Sequence, residues 1–162
     1  MPSITTPHFD QDRKAPEGFR AQRALLGRQL GAERLGLSLW ELSPGEAAYP
    51  YHFHLADEEL IVVLEGRPSL RAPDGWRELE EGEVVSFLTG ARGAHQLVNW
   101  SGERVRFLAF SPSGHVDVVV YPDAGKLAAA ERKPDGYSMR VSIPQAPVDY
   151  WEGEQPPSRA TR

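Results

Sequence analysis

The sequence predicts an all-β protein whose antiparallel strands form a barrel or a sandwich. Its apolar runs are short and rich in β-branched residues, as in residues 59–65 (ELIVVLE) and 116–121 (VDVVVY). Turn residues separate these runs at intervals of roughly 8–12 residues, which is the spacing of antiparallel all-β domains. The alternation of strands with long helices that marks parallel βαβ units is not apparent.

Each candidate strand is bounded by a turn signal. The first strand closes at the Ser43–Gly45 turn, and a proline–aspartate–glycine turn at Pro73–Gly75 joins two strands as a hairpin. Single glycines, such as Gly66 and Gly82, delimit others. The candidate strands are residues 34–42, 49–54, 59–65, 68–72, 76–80, 84–88, 94–100, 104–111 and 115–121.

The C-terminal part differs from the rest in composition. Residues 124–133 (AGKLAAAERK) are rich in good helix formers and precede a Pro-Asp-Gly turn, which predicts a short C-terminal helical segment. At 162 residues the chain fits one domain. We expect an N-terminal arm over residues 1–18, a β-barrel with a C-terminal strap over residues 19–153, and a flexible tail over residues 154–162.

Composition excludes several classes of function. A net charge of −5 without a basic stripe argues against nucleic acid or an anionic membrane as a partner. Every apolar run is well short of the ~20 residues that a membrane-spanning helix needs. The chain has no cysteine, so disulfides, thiol catalysis and cysteine zinc sites are ruled out. The N-terminal residues lack the basic start and apolar stretch of a signal peptide, and we expect a cytoplasmic location.

Three histidines and one glutamate form a candidate metal site. His52 and His54 are two residues apart, so on a strand both side chains point to one face, while Glu59 and His95 come from later segments. Imidazole and carboxylate are the ligands for a divalent transition metal when cysteine is absent. Glu58 is the alternative carboxylate. We prefer Glu59 because it shares strand parity with the apolar residues that follow it.

The same residues resemble the two motifs of the cupin superfamily. Gly45, His52, His54, Glu59 and Gly66 match the first motif, in which a glycine precedes HxH, a glutamate and a closing glycine. The second motif is resembled by four later residues, Gly82, Gly90, His95 and Asn99. The loop between Gly45 and His52 is one residue longer than the commonest spacing, and Leu88 replaces the usual proline. The resemblance covers about residues 36–111 and is closest to small single-domain bacterial cupins of unassigned activity.

This resemblance implies a cupin-type antiparallel β-barrel, also described as a double-stranded β-helix or jelly roll. His52, His54, Glu59 and His95 would bind one divalent transition metal (Fe, Mn, Ni or Zn) in the mouth of the barrel. Asn99 is expected to hold a turn through backbone hydrogen bonds. A 3-His-1-carboxylate set leaves two positions of a six-coordinate metal open for a small-molecule ligand.

The expected function is that of a metal-dependent enzyme acting on a small oxygen-rich metabolite. Sugar or sugar-phosphate isomerase and dioxygenase chemistries are both open, and no catalytic acid or base can be named. The alternative is a non-enzymatic module that binds or senses a small molecule through the metal. We also predict a homodimer, because an exposed sheet edge favours pairing and residues 19–31 could supply an exchanged strand.

Overall fold

The computed structural model describes residues 1–10, 15–133 and 136–144, and it confirms the all-β prediction. Within these ranges, α-helix is limited to the single turn α1 (Leu26–Gln29), and two 3-10 turns occupy Ala91–Gly93 and Pro122–Ala124. No helix in this part of the chain is long and apolar enough to cross a membrane. The strands are β1 (Gln22–Ala24), β2 (Leu35–Leu42), β3 (Phe53–His54), β4 (Glu59–Glu65), β5 (Ser69–Ala72), β6 (Gly75–Glu78), β7 (Val84–Phe87), β8 (Gln96–Val98), β9 (Val105–Pro112), β10 (Val116–Tyr121), β11 (Lys126–Lys133) and β12 (Gly136–Pro144).

The strands form three antiparallel sheets. The largest has the order β1-β2-β9-β4-β7, the second has the order β12-β11-β10-β3, and the third is β6-β5-β8. The predicted Pro73–Gly75 turn joins β5 to β6, where Ala72 pairs with Gly75. Two isolated bridges, Ala47 with Val98 and His52 with His95, connect chain segments outside the named strands.

The larger of two apolar clusters in the described residues forms the core of the barrel. Phe107 of β9 is fully buried and stacks on Trp40 of β2 with a centroid distance of 6.1 Å. Alternation along β4 sends Ile61 and Val63 into the same core. The buried members of the cluster are Trp40, Leu42, Ala48, Ile61, Val63, Leu70, Leu79, Phe87, Leu97, Val105 and Phe107.

The predicted C-terminal helix is wrong. Lys126–Lys133 is strand β11, which pairs with β10 on one side and β12 on the other. Ala128 and Ala130 alternate into the interior and are buried opposite Val119 and Asp117 of β10. Pairing on both edges satisfies the backbone of β11, and its small side chains fit the crowded interior. These tertiary contacts override the helix propensity of alanine.

Both ends of the chain add strands to the barrel. The first part of the expected C-terminal strap, Gly136–Pro144, is strand β12; residues 145–153 of the strap and the predicted tail lie outside the described residues. Near the N-terminus, β1 pairs with β2 of the same chain, with Arg23 opposite Trp40. Segment 19–31 is therefore engaged within its own barrel rather than extended for exchange.

The motif glycine Gly66 is required by close packing at the end of β4. Its φ of 77° is left-handed, and a Cβ atom there would lie 2.5 Å from the carbonyl oxygen of Arg104. Any larger residue would clash with backbone that cannot move easily. This tight turn fixes where β4 stops.

Candidate metal centre

Four predicted ligands come from three different parts of the barrel. His54 lies in the short strand β3, Glu59 begins β4, and His52 and His95 form the isolated bridge between the chain segments before β3 and β8. The bridge is made by two backbone hydrogen bonds, from the N–H of His52 to the carbonyl of His95 at 3.2 Å and from the N–H of His95 to the carbonyl of His52 at 2.9 Å. The backbone thus sets the two histidines side by side.

Donor atoms of His52, His54 and Glu59 lie close together, and His95 reaches this group through Glu59. Nε2 of His52 lies 3.1 Å from Nε2 of His54, and Oε2 of Glu59 lies 3.4 Å from Nε2 of His54 and 3.3 Å from Nε2 of His95. One donor atom from each of His52, His54 and Glu59 lies within 4.8 Å of the others. Glu58, the alternative carboxylate, is exposed.

The tautomers of the three imidazoles follow from their Nδ1 partners. Nδ1 of His52 contacts the carbonyl of Pro50 at 2.9 Å, and Nδ1 of His95 contacts the carbonyl of Gly93 at 2.9 Å. Nδ1 of His54 lies 2.5 Å from Oδ2 of Asp117. Carbonyl and carboxylate oxygens accept hydrogen bonds, so each Nδ1 carries a proton and each ring turns its Nε2 toward the centre.

The electrostatics of the centre favour a bound cation. Burial first, and then the neighbouring rings of His95 and His54, lower the pKa of His52 to about 3, so this ring is neutral near pH 7. Burial of Glu59 would raise its pKa, but the imidazoles of His54 and His95 outweigh this and hold that pKa well below its usual range. The centre therefore combines an ionised carboxylate with the neutral ring of His52.

The donor set fits a divalent transition metal. The Nε2 atoms of His52 and His54 lie 3.1 Å apart, and Nε2 of His95 is buried 3.3 Å from Oε2 of Glu59. Buried nitrogen atoms in such an arrangement are unfavourable unless a positive ion lies between them. Neutral imidazole and one carboxylate are suitable ligands for Fe, Mn, Ni or Zn, and the ligand types alone do not choose among these metals.

Asp117 is a functional residue that the sequence did not reveal. Its carboxylate is buried and accepts hydrogen bonds from Nδ1 of His54 and, at 3.0 Å, from the N–H of Ala56. A carboxylate in this position orients a ligand histidine and increases its basicity. The available signal was one acidic residue inside the apolar run VDVVVY. Strand parity places it on the same face as Val119, which is opposite His54.

A second buried carboxylate, Asp57, lies beside this pair. Donor atoms of His54, Asp57 and Asp117 lie within 4.8 Å of one another. Asp57 also contacts His115, whose Nε2 is 2.6 Å from Oδ1 of Asp57 and whose side chain is 41 % exposed. His115 was expected to be a loop or surface residue, and it is half-exposed while it reaches toward this buried group.

Aromatic residues surround the centre. The ring of Phe87 stacks on His95 at 3.7 Å, and the edge of Tyr49 meets the rings of His52 and His95 at 4.8 and 5.4 Å. Burial, followed by the charge of Glu59, raises the pKa of Tyr49 well above its usual value, so this phenol keeps its proton. The wall of the site is thus largely apolar, with one hydroxyl donor.

Asn99 holds a turn, as expected. Its side-chain amide donates to the carbonyls of Leu42 at 2.9 Å and Glu103 at 2.7 Å, and its oxygen accepts from the N–H of Ser101 at 3.0 Å. These bonds join the end of β2 to the loop between β8 and β9. Asn99 therefore serves the fold beneath the site.

Comparison with known proteins identifies the family. Residues 38–111 match the family model described as a cupin domain. This chain contains a cupin domain. The matched residues include all four candidate ligands of the centre. A comparison with curated proteins gave no significant match.

Several solved structures resemble this chain over most of its length. A protein from Acidithiobacillus ferrooxidans, provisionally described as a sugar phosphate isomerase, is 26 % identical with a TM-score of 0.72, and the match covers 82 % of this chain and 81 % of that one. A sugar phosphate isomerase of the cupin superfamily from Silicibacter pomeroyi gives a TM-score of 0.75 at 19 % identity over 93 % and 97 % of the two chains, which shows the shared fold. The polyketide cyclase RemF from Streptomyces resistomycificus is 32 % identical with a TM-score of 0.53 over 62 % and 70 %.

Proposed function

We propose that this cupin is a metal-dependent enzyme that isomerises a small sugar-like substrate carrying a hydroxyl group next to a carbonyl. The observation that carries the proposal is that the Nε2 atoms of His52 and His54 meet beside the Glu59 carboxylate, which also lies 3.3 Å from Nε2 of His95, while each ring is held by an acceptor on its Nδ1. His52, His54, Glu59 and His95 would hold the metal. When bound, such an ion acts as a Lewis acid that polarises a carbonyl and aligns adjacent oxygens.

The protein's own groups would position the substrate and exclude water. Phe87 and Tyr49 form a wall beside the histidines, and the protonated phenol of Tyr49 can donate a hydrogen bond to a substrate oxygen. The similar protein from Acidithiobacillus ferrooxidans, with its provisional sugar phosphate isomerase description, supports this substrate class. Because one cupin barrel supports many reactions, the assignment depends on the site and needs a direct test.

The test begins with metal content and then measures turnover. Protein purified without chelator is analysed by mass spectrometry for bound metal, and aldose–ketose interconversion is followed by NMR with and without oxygen. We expect about one metal ion per chain and oxygen-independent interconversion that a chelator abolishes. A protein that binds no metal, or turnover that continues after metal removal, would refute the proposal.

A dioxygenase is the second candidate, favoured by the apolar wall of the centre. Phe87 stacks directly on the ligand His95, and the core residues Trp40 and Phe107 stack on each other below. Exclusion of water from an iron site suits oxygen chemistry. Bound iron together with substrate-dependent oxygen consumption would favour this candidate. A ligand that raises the melting temperature without being converted would instead favour a non-enzymatic binding module.

We also propose that the protein forms a homodimer in which the outer face of the five-stranded sheet is covered. Leu60 of β4 and Phe110 of β9 are cross-strand partners on this face and are 36 % and 37 % exposed, and Val84 of β7 is 57 % exposed. A contiguous apolar face of this kind is unfavourable in water unless a partner covers it. Light scattering should give about twice the chain mass of 18.0 kDa. A monomer mass would refute the dimer.

A further inference from the structure

One row of side chains runs across the interior face of the four-stranded sheet at the level of the metal centre. His54 pairs with Val119 and Phe53 with Val120, so the next residues along, His52 and Tyr121, oppose each other. Tyr121 in turn pairs with Lys126 of β11. Directly opposed residues on antiparallel strands point to the same face, so these three side chains share the face of His54.

The side chains of this row are in contact. The ring of Tyr121 stacks on His52 with a centroid distance of 5.9 Å and an interplanar angle of 26°. Nζ of Lys126 lies 5.1 Å from the centroid of the Tyr121 ring. Lys126 thus holds a positive charge over an aromatic ring. Its backbone lies about two strand spacings, roughly 10 Å, from the backbone of the candidate ligand His52.

The charge of Lys126 is not neutralised within the described residues, where no carboxylate forms an ion pair with it. The acidic residue closest to it in sequence, Asp123, instead binds Arg71 through two hydrogen bonds of 2.5 and 3.1 Å. Arg71 lies over Tyr51 at 4.0 Å and is thereby fixed. Lys126 is exposed and can therefore receive an anionic group from solution.

We propose that Lys126, with the Tyr121 ring beside it, is the binding site for an anionic end group of the substrate. This inference rests on the proposed function, because it assigns to the metal centre the hydroxyl–carbonyl end of the same molecule. The substrate class is then a short polyhydroxy carbonyl compound with a phosphate or carboxylate at the far end. A lysine ammonium is a compact point charge well suited to phosphate, and the tyrosine ring gives the carbon chain an apolar surface to lie on.

The test compares sugars whose far end carries a phosphate, a hydroxyl or a carboxylate. Ribose 5-phosphate, ribose and glucuronate are titrated calorimetrically into the manganese-loaded full-length protein, and inorganic phosphate is titrated into the metal-free protein. The variants are Lys126→Met, which removes the charge but keeps the chain length, and Lys126→Arg, which keeps the charge. Arg67→Met is the matched control, because Arg67 is an exposed cation that pairs with Glu78 and Glu80 away from the centre.

We expect Lys126→Met to weaken the binding of ribose 5-phosphate and of inorganic phosphate by about 10- to 100-fold, which is the range for losing a hydrogen bond to a charged group. Ribose binding and metal content should stay unchanged. Lys126→Arg and Arg67→Met should bind as the original protein does. If Lys126→Met weakens the binding of glucuronate more than that of ribose 5-phosphate, the end group is a carboxylate and the subsite is still supported.

Two outcomes separate this inference from the proposed function. Equal phosphate binding by the original protein and Lys126→Met, or no phosphate binding by either, would overturn the Lys126 subsite even if the metal centre and isomerase activity are intact. Conversely, Lys126-dependent phosphate binding in a protein that holds no metal would support the subsite while the proposed function fails. Circular dichroism of each variant confirms that the comparison is made between folded proteins.

Discussion

Replacement of Asp117 by asparagine tests whether the buried carboxylate supports the metal centre. The substitution keeps the shape of the side chain and an acceptor for the N–H of Ala56, but it removes the charge that lies 2.5 Å from Nδ1 of His54. Carboxylates that support a ligand histidine in this way typically contribute 10- to 100-fold to metal affinity. That range corresponds to about 1.4 to 2.7 kcal/mol.

The same loss is visible as a change in thermal stability. A metal that binds only the folded state stabilises it in proportion to the logarithm of its concentration over Kd, so weaker binding lowers the metal-induced rise in Tm. For a chain of this size, 1 kcal/mol corresponds to about 2–4 °C, so the rise should shrink by about 3 to 10 °C in Asp117→Asn. Competition titration with a fluorescent chelator measures Kd directly.

The matched control is Asp74→Asn, which removes a charge from the exposed hairpin turn between β5 and β6. It should bind metal with the affinity of the original protein. Should Asp117→Asn also retain that affinity while remaining folded, then Asp117 neither orients nor strengthens His54, and the supporting role derived from the geometry is incorrect.

Three further predictions concern the ligands, the pH dependence and the core. A His52→Ala/His54→Ala double variant should lose bound metal by mass spectrometry, whereas His8→Ala should keep it; one metal per chain in the double variant would contradict the site. In the metal-free protein, the folded pKa of His52, about 3, is below its ordinary value of 6.5, so the unfolded state binds more protons between these values. The free energy of unfolding should therefore fall as the pH drops from about 6.5 to 3, by up to about 5 kcal/mol from this group. Urea titrations of His52→Gln should show a shallower fall with pH. An equal fall in the two proteins would contradict the buried, neutral state of His52. Phe107→Ala should lower the free energy of unfolding, measured with urea, by about 3–5 kcal/mol because Phe107 is fully buried. Phe110→Ala should lower it far less because Phe110 is half-exposed. Equal losses would place the core elsewhere.

The sequence was most informative where one local rule decided the structure. Turn residues at Pro73–Gly75 predicted a hairpin, and strand parity predicted that His52 and His54 share a face. The approach of His95 to Glu59 is a long-range contact, and the sequence suggested it only through resemblance to a family. Its geometric cause is the backbone bridge at His52, which no local pattern reveals.

The sequence was least informative where tertiary contacts oppose local preference. The alanines of β11 favour a helix in isolation, but pairing with β10 and β12 and the small space beside Val119 make that segment a strand. In the sequence, Asp117 is only one acidic residue in an apolar run, and its partner, His54, is 63 residues away. Supporting residues of this type become visible only after the register between β3 and β10 is known.

The bridge between His52 and His95 also bears on how the barrel assembles. Two backbone hydrogen bonds join His52 and His95 directly, and others, such as those from Ala48 to Leu97 and from Gly90 to His54, continue the contact between the two segments on either side. Ligands separated by more than forty positions converge only after most strands have paired, because closure of so long a loop is entropically costly. If the site binds an ion, its capture would accordingly be a late step that links the segments of a nearly complete barrel.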